Sequence, residues 1–216
     1  MLTSRSTLGL LATLVCAPVG LAASFTVTVH TPDGKPLMGA VVTAIRTDAR
    51  DKPAAPVTAA ISQVDLSFRP DLLVVPVGSS VEFPNDDTVS HQIYSFSQAK
   101  RFQLPLYRGK PYPPVRFDQP GLVTLGCNIH DAMLAYILVT DAPYFGRSDD
   151  AGSWSASGVP AGKYHVLIWH PRLRDAPAAL ERDVTVGEGD AVLDVKLTKP
   201  LRPAPIQDRP HSWDAY

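Results

Sequence analysis

The chain contains very little sulfur, with two cysteines and three methionines in 216 residues. One cysteine, Cys16, lies in an N-terminal segment with the features of an export signal. After export, the other cysteine, Cys127, would have no disulfide partner within the chain. A lone thiol in an oxidising compartment is a liability unless something occupies it, so Cys127 becomes a candidate ligand.

Long hydrophobic runs and one-sided charge are also missing. Beyond the N-terminal segment, no stretch approaches the 18 or so apolar residues of a membrane helix, and no extended 3.6-residue apolar stripe occurs. The formal net charge is −1, which points neither to nucleic acid nor to an anionic membrane as a partner. These absences favour a soluble protein, which we expect to be a monomer.

The first 23 residues predict a secretory signal peptide. Arg5 supplies the only charge before a short apolar stretch at residues 8–19, and residues 20–23 are small enough for cleavage. This layout is typical of an export signal, and the apolar stretch is too short for a comfortable membrane span. We therefore expect a periplasmic protein with no membrane insertion after the signal is removed.

Short alternating segments, separated by turns of Pro, Gly and Asp, predict an all-β fold. Residues 24–30 show the pattern plainly, because Phe25, Val27 and Val29 share one face. Changes in composition divide the chain into successive parts: signal peptide 1–23, a first β-segment 24–50, a linker 51–62 rich in Ala and Pro, a strand-rich region 63–140, a further β-segment 141–198 and a Pro-rich tail 199–216.

A short motif within residues 126–133 carries the chemistry. Cys127 is followed by His130 and then by Met133, each three residues after the last. Thiolate, imidazole and thioether form a soft donor set that suits copper, and a second histidine would complete a trigonal His2Cys site with a weak axial Met. His91, 36 residues before Cys127, is the candidate fourth ligand.

The spacing of the motif is physically reasonable for such a site. Strands are expected on both sides of it, and neighbouring antiparallel strands lie about 4.8 Å apart, so the connecting loop must be tight. A tight loop can direct several side chains at one point. His91 would arrive from a separate strand and tie the site to the sandwich.

Two resemblances extend this interpretation. Residues 68–140 resemble a cupredoxin through the runs VVPVG (74–78), VEFPND (81–86), SHQ (90–92) and CNIHDAM (127–133). The resemblance implies a Greek-key β-sandwich with one type 1 copper held by His91, Cys127, His130 and Met133, on a loop as short as that of amicyanins. It also implies one-electron transfer with a redox partner protein, a dehydrogenase or a cytochrome-like acceptor.

The flanking segments resemble a carboxypeptidase-regulatory or transthyretin-like β-sandwich divided in two by the copper-binding region. The runs VHTPDGKPLMGAVVTAI and DDAGSWSASGVPAGKYHVLIWHP carry this second resemblance. The combination is similar to bacterial proteins known as methylamine utilisation proteins. It implies a second small β-sandwich formed by both flanks.

An enzyme is the less favoured interpretation. Copper oxidases and copper nitrite reductases pass electrons to a second copper through a histidine beside the type 1 cysteine, whereas Gly126 and Asn128 flank Cys127. A nucleophilic Cys127 with His130 as its base would leave Met133 without a role. Two alternatives to an electron carrier stay open: a copper-homeostasis carrier, and an interaction module with an auxiliary copper site.

Overall fold

A computed structural model describes residues 24–109, 112–130, 132–174 and 180–204. Residues 1–23, the predicted signal peptide, and residues 205–216, most of the predicted tail, lie outside the described residues. Within the described ranges the regular structure consists of seventeen β-strands, with no α-helix. The predicted all-β class is therefore confirmed. No helix in these ranges is long and apolar enough to cross a membrane.

The flanking segments build one sandwich around a core of their own. Its strands are β1 (Ser24–His30), β2 (Val41–Arg46), β13 (Tyr144–Arg147), β14 (Ser153–Ser157), β15 (Gly162–Trp169), β16 (Glu181–Val186) and β17 (Ala191–Lys196). Its two sheets have the strand orders β14-β1-β17 and β13-β2-β15-β16. Alternating burial along β1 turns Phe25, Val27 and Val29 inward, where they meet Trp154 and Tyr164.

The central segment builds a second sandwich with a separate core. Its strands are β3 (Thr58–Ala60), β4 (Ser62–Val64), β5 (Ser67–Arg69), β6 (Leu72–Pro76), β7 (Ser79–Glu82), β8 (His91–Ser97), β9 (Lys100–Tyr107), β10 (Val115–Phe117), β11 (Gly121–Gly126) and β12 (Leu134–Thr140). A five-stranded sheet of order β6-β12-β11-β8-β9 faces a three-stranded sheet of order β10-β7-β3, and β4 pairs with β5 as a hairpin. The chain crosses repeatedly between the two sheets, as a Greek-key sandwich requires.

A small apolar cluster joins the two sandwiches. Val41 of β2 packs with Leu72 of β6 and Leu138 of β12, and the rings of Tyr136 and Trp169 meet edge to face beside it, with their centroids 5.4 Å apart. The two sandwiches thus share buried surface in addition to the chain segments that connect them.

Strands β9 and β13 are among those that the sequence pattern did not predict. Strand β9 forms an edge of its sheet and contains Pro105, which an edge strand tolerates because it needs fewer ladder hydrogen bonds. Strand β13 contains Gly146, where a Cβ would collide with the Trp154 ring. In both strands, tertiary packing overrides the simple alternation that reveals a strand in sequence.

The segment predicted as a linker is partly structured. Residues 58–60 form β3, which pairs in parallel with β7, and Ile61 is fully buried in the central core. At the start of the predicted tail, Leu201 packs against the core of the flanking sandwich. Short apolar contacts therefore order parts of both Pro-rich segments.

Candidate metal centre

The short motif occupies the loop between β11 and β12. Antiparallel pairing continues to the pair Gly126–Leu134, so the loop begins and ends on adjacent, hydrogen-bonded strands. Within it, the Met133 N–H donates to the His130 carbonyl over 2.9 Å. These contacts fix the two ends of the loop and tie Met133 to His130.

His91 reaches the same place from the first residue of β8. Its backbone partner is Tyr107 of β9, and the register shifts by a bulge immediately after it. Gly126 pairs with Tyr94, which joins β8 to β11 directly before Cys127. A bulge is a common device for redirecting a side chain at a functional position.

Three of the four predicted ligands converge. His91 Nδ1 lies 3.1 Å from His130 Nδ1, and Cys127 Sγ lies 3.9 Å and 3.8 Å from these two atoms. The donor atoms all fall within 4.8 Å of one another, a grouping that could hold a metal ion. His91 and Cys127 are buried, whereas His130 is half-buried.

A buried carboxylate, Asp87, supports His91 from behind. Its Oδ2 lies 3.0 Å from His91 Nε2 and also accepts the Leu66 N–H over 2.8 Å. Burial alone would raise the pKa of Asp87. The Leu66 N–H, the His91 ring and the Thr88 N–H outweigh burial and hold that pKa below its ordinary value.

The Asp87 contact defines the tautomer of His91. An ionised carboxylate only accepts hydrogen bonds, so the proton of a neutral His91 ring lies on Nε2. The Nδ1 lone pair is then free to face His130 and Cys127. Such carboxylate–histidine pairs orient metal-binding imidazoles and make them better donors.

His130 is poised to stay neutral. Its burial, followed by the nearby His91 ring, lowers its pKa, and Asp87 opposes this shift only in part. A neutral imidazole is the form that binds a metal. The His130 ring is therefore in the protonation state that metal binding requires at neutral pH.

Met133 has a position consistent with its predicted role, although its role as axial ligand stays a prediction. Its side chain is 2% exposed and belongs to the same apolar cluster as Cys127. Among the described residues Cys127 is the free cysteine. Two imidazole nitrogens and a thiolate beside a thioether form a soft set that fits copper.

Of the polar residues that hold the site in place, the sequence suggested a turn or supporting role for Asn85 but did not single out Asp87. Asn85 donates its side-chain amide to the Val89 and Tyr107 carbonyls over 3.0 and 2.9 Å, and the Asp87 N–H donates back to Asn85 over 3.0 Å. Asparagine is a common turn residue, but nothing in the sequence around Asn85 showed that Asp87 faces His91.

A buried tyrosine lies below this loop. The Tyr107 hydroxyl donates to the Phe83 carbonyl over 2.6 Å and accepts from the Gln63 amide over 2.5 Å. Burial, reinforced by Cys127 and opposed by the Gln63 hydrogen bond, raises the pKa of Tyr107 to about 12. The hydroxyl therefore stays protonated and keeps its hydrogen bond to Phe83.

The other described histidines lie away from the cluster. His30 contacts Asp194 and His165 contacts Asp183, both on the solvent-facing side of the flanking sandwich, and His170 lies at the junction of the two sandwiches. His211 is outside the described residues.

Comparison with known proteins gives similarity to copper proteins over part of the chain. No family model and no curated protein matches the sequence. A purple cupredoxin from Nitrosopumilus maritimus is 25% identical, with 38% of this chain and 99% of that chain covered, at a TM-score of 0.35. A mutant amicyanin in its reduced Cu(I) form is 18% identical, with 40% of this chain and 86% of that chain covered, at a TM-score of 0.35.

A Cu-containing nitrite reductase from Thermus scotoductus SA-01 is also similar. It is 26% identical at a TM-score of 0.36, with 52% of this chain covered, but this chain spans only 28% of that enzyme. With TM-scores near 0.35, these similarities do not decide a function. The geometry of the His91–Cys127–His130 cluster is the basis for the proposed function.

Proposed function

We propose that this chain is a periplasmic type 1 copper protein that carries single electrons between redox partners. One copper would be held by His91, Cys127, His130 and Met133. The observation that carries the proposal is the convergence of two imidazole Nδ1 atoms and the Cys127 sulfur within 4.8 Å. A bound copper would supply the one-electron Cu(II)/Cu(I) couple.

The protein's part is to hold the donors in place before the metal arrives. Asp87 keeps the His91 proton on Nε2, and the paired strands β11 and β12 close the ligand loop. Donors that move little suit electron transfer, because slight rearrangement accompanies a change in oxidation state.

The surface around His130 suggests where electrons pass. His130 is half-buried while His91 is fully buried, so the His130 ring is the ligand nearest solvent. Ile129 is 51% exposed beside it, and Val89 and Leu106 on neighbouring segments are also exposed. We propose that a redox partner, a dehydrogenase or a cytochrome-like protein, docks on this apolar pole.

An electron carrier also accounts for the simplicity of the site. Gly126 and Asn128 flank Cys127, so no adjacent histidine leads to a second metal. The other histidines in the described ranges do not cluster with further metal-binding side chains. We therefore propose that the protein has no catalytic activity of its own.

The first test is a Cu(II) titration of the purified protein followed by visible and EPR spectroscopy. We expect one copper per chain, an intense thiolate-to-copper band in the red and narrow copper hyperfine splitting. Cys127→Ser should abolish the band. His165→Gln, which replaces an exposed histidine of the other sandwich, is the matched control and should leave it unchanged.

A weak, ordinary cupric spectrum would contradict the electron-transfer proposal and favour a copper carrier. The three methionines of the chain argue against that alternative, since carriers of this kind are expected to be rich in Met and His. No stoichiometric binding would favour an interaction module.

Met133→Leu tests the axial role separately. Leucine nearly conserves the buried volume but cannot donate to a metal. If Met133 is the axial ligand, its loss should raise the reduction potential while the thiolate band persists, because a donor that stabilises the oxidised metal is gone. An unchanged potential in voltammetry would remove Met133 from the ligand set.

A further inference from the structure

A concave, positively charged site lies where the two sandwiches meet, away from the copper cluster. Its volume is about 280 Å3, close to the lower end for small-molecule sites. We call it the basic cleft and define it by Arg69, Asp71, Tyr136, Arg147, His170 and Arg172.

The basic cleft draws on both sandwiches. Arg69 ends β5 and Tyr136 lies on β12 of the central sandwich, whereas Arg147 ends β13 of the flanking sandwich. His170 follows Trp169, the last residue of β15, and Arg172 comes two residues later. A ligand held here would therefore bridge the two sandwiches.

The positive charge in the cleft is not neutralised by the described part of the protein. Three guanidinium groups face one carboxylate, Asp71, and no ion pair joins any of them to a carboxylate of a described residue. Two of the three guanidinium groups are held by uncharged backbone carbonyls. Arg147 Nη1 donates to Leu72 over 3.1 Å, and Arg172 Nε donates to Arg202 over 2.6 Å.

His170 adds a neutral donor to this set. Its Nδ1 accepts the Arg172 backbone N–H over 3.2 Å, so the ring proton lies on Nε2. Burial, followed by the charges of Arg172 and Arg147, lowers the pKa of His170 to about 4. The ring is thus uncharged at neutral pH, and the Arg172 and Arg147 charges act on it in the same direction as burial.

We propose that the basic cleft binds a small oxyanion with two or more negative charges, a carboxylate or phosphate compound. Guanidinium groups match the paired oxygens of carboxylates and phosphates and bind them through charge-assisted hydrogen bonds. Such an anion would offset the mutual repulsion of the arginines and hold the two sandwiches together. The proposal does not depend on copper.

The test is calorimetric titration of the copper-free protein with pyrophosphate and with citrate, at an ionic strength held constant with NaCl. We expect one anion per chain and a melting temperature that rises with its concentration. Arg69→Gln, Arg147→Gln and Arg172→Gln should each weaken binding about tenfold or more, the effect of losing one charged hydrogen bond. Arg50→Gln, an exposed arginine outside the cleft, is the control and should bind as the parent does.

The two probes distinguish the chemistry of the ligand. Tight binding of pyrophosphate alone indicates a phosphate compound, and tight binding of citrate alone indicates a carboxylate. Equal binding by the parent and the glutamine variants would overturn the proposal, as would no binding beyond that of chloride.

One variant needs a safeguard. Because Arg147 also holds the Leu72 carbonyl, Arg147→Gln can disturb the junction itself. No hydrogen bond or ion pair of the Arg69 side chain occurs within the described ranges. If Arg147→Gln does not fold, the anion affinity of Arg69→Gln therefore tests the proposal. Arg172→Lys, which keeps the charge, should recover part of the affinity lost in Arg172→Gln.

Discussion

At the scale of single residues, the candidate copper site depends on a carboxylate behind one ligand. Asp87→Asn keeps the size of the side chain but loses the charge that holds the proton on His91 Nε2. Loss of such a partner typically weakens metal binding by about 10- to 100-fold. Competition with a Cu(I) chelator measures the affinity, and the visible spectrum reports the ligand geometry.

Asp86→Asn is the matched control for this prediction. Asp86 is exposed, and its side chain makes no hydrogen bond or ion pair within the described ranges, so its charge is not expected to affect the site. If Asp87→Asn binds copper with the same affinity as Asp86→Asn, packing alone orients the His91 ring.

A second residue-scale prediction concerns pH. The pKa of His170 falls to about 4 in the folded state, against an ordinary 6.5. The unfolded chain binds the His170 proton more tightly than the folded chain does. The stability that the neutral His170 ring contributes is therefore fully present above pH 6.5 and is lost as pH falls towards 4. The shift corresponds to about 3 kcal/mol at most.

The measurement is urea unfolding of the copper-free protein between about pH 7 and about pH 4. His170→Gln should flatten the slope in this window, since glutamine does not titrate. The same slope in the variant and the parent would assign the pH dependence to other groups, such as His130, whose pKa is also lowered.

At the scale of elements, the turn between β13 and β14 depends on a glycine for two separate reasons. Gly152 has φ +73°, and a Cβ there would lie 2.6 Å from the Val29 carbonyl oxygen. Gly158 has nearly the same φ, +72°, but nothing lies within 4 Å of its Cβ position. Alanine substitutions at these two glycines therefore separate the cost of backbone strain from the cost of steric overlap.

Gly158→Ala should cost about 1–2 kcal/mol, the penalty of a left-handed conformation for a residue with a Cβ. Gly152→Ala should cost a further ~1–3 kcal/mol because backbone must move to make room. Urea unfolding gives both values. Equal losses of unfolding free energy in the two variants would contradict this prediction. They would mean that the turn can move away from β1 without cost, although the Val29 N–H donates a hydrogen bond to the Gly152 carbonyl.

At the scale of the whole molecule, the apolar junction should make the two sandwiches unfold together. Leu72 is 2% exposed and packs with Val41 and Leu138 across the junction. Leu72→Ala should cost about 2–5 kcal/mol, the usual penalty for a buried leucine. It should also split a single calorimetric transition into two.

Leu106→Ala is the control for this experiment, because Leu106 is 57% exposed and its truncation should be nearly neutral. Two transitions already present in the parent protein would show that the junction does not couple the sandwiches.

The sequence predicts a strand correctly where its alternation of apolar and polar residues matches the burial of its two faces. The alternation of residues 24–30 predicted β1 with its observed bounds, because one face of that strand is fully buried. Strand β9 was missed, since an edge strand with exposed charges and Pro105 shows no clean alternation. The motif of Cys127, His130 and Met133 was visible because all three belong to one short loop.

What the sequence determined by itself was local: the all-β class, the donor types of the metal loop and His91 as their candidate partner. Only the tertiary structure showed that Asp87 faces His91, and that Arg69, Arg147 and Arg172 meet in one cleft. The reason is physical. A loop brings its own residues together through chain connectivity, whereas groups on separate strands meet only after two cores have formed and packed against each other.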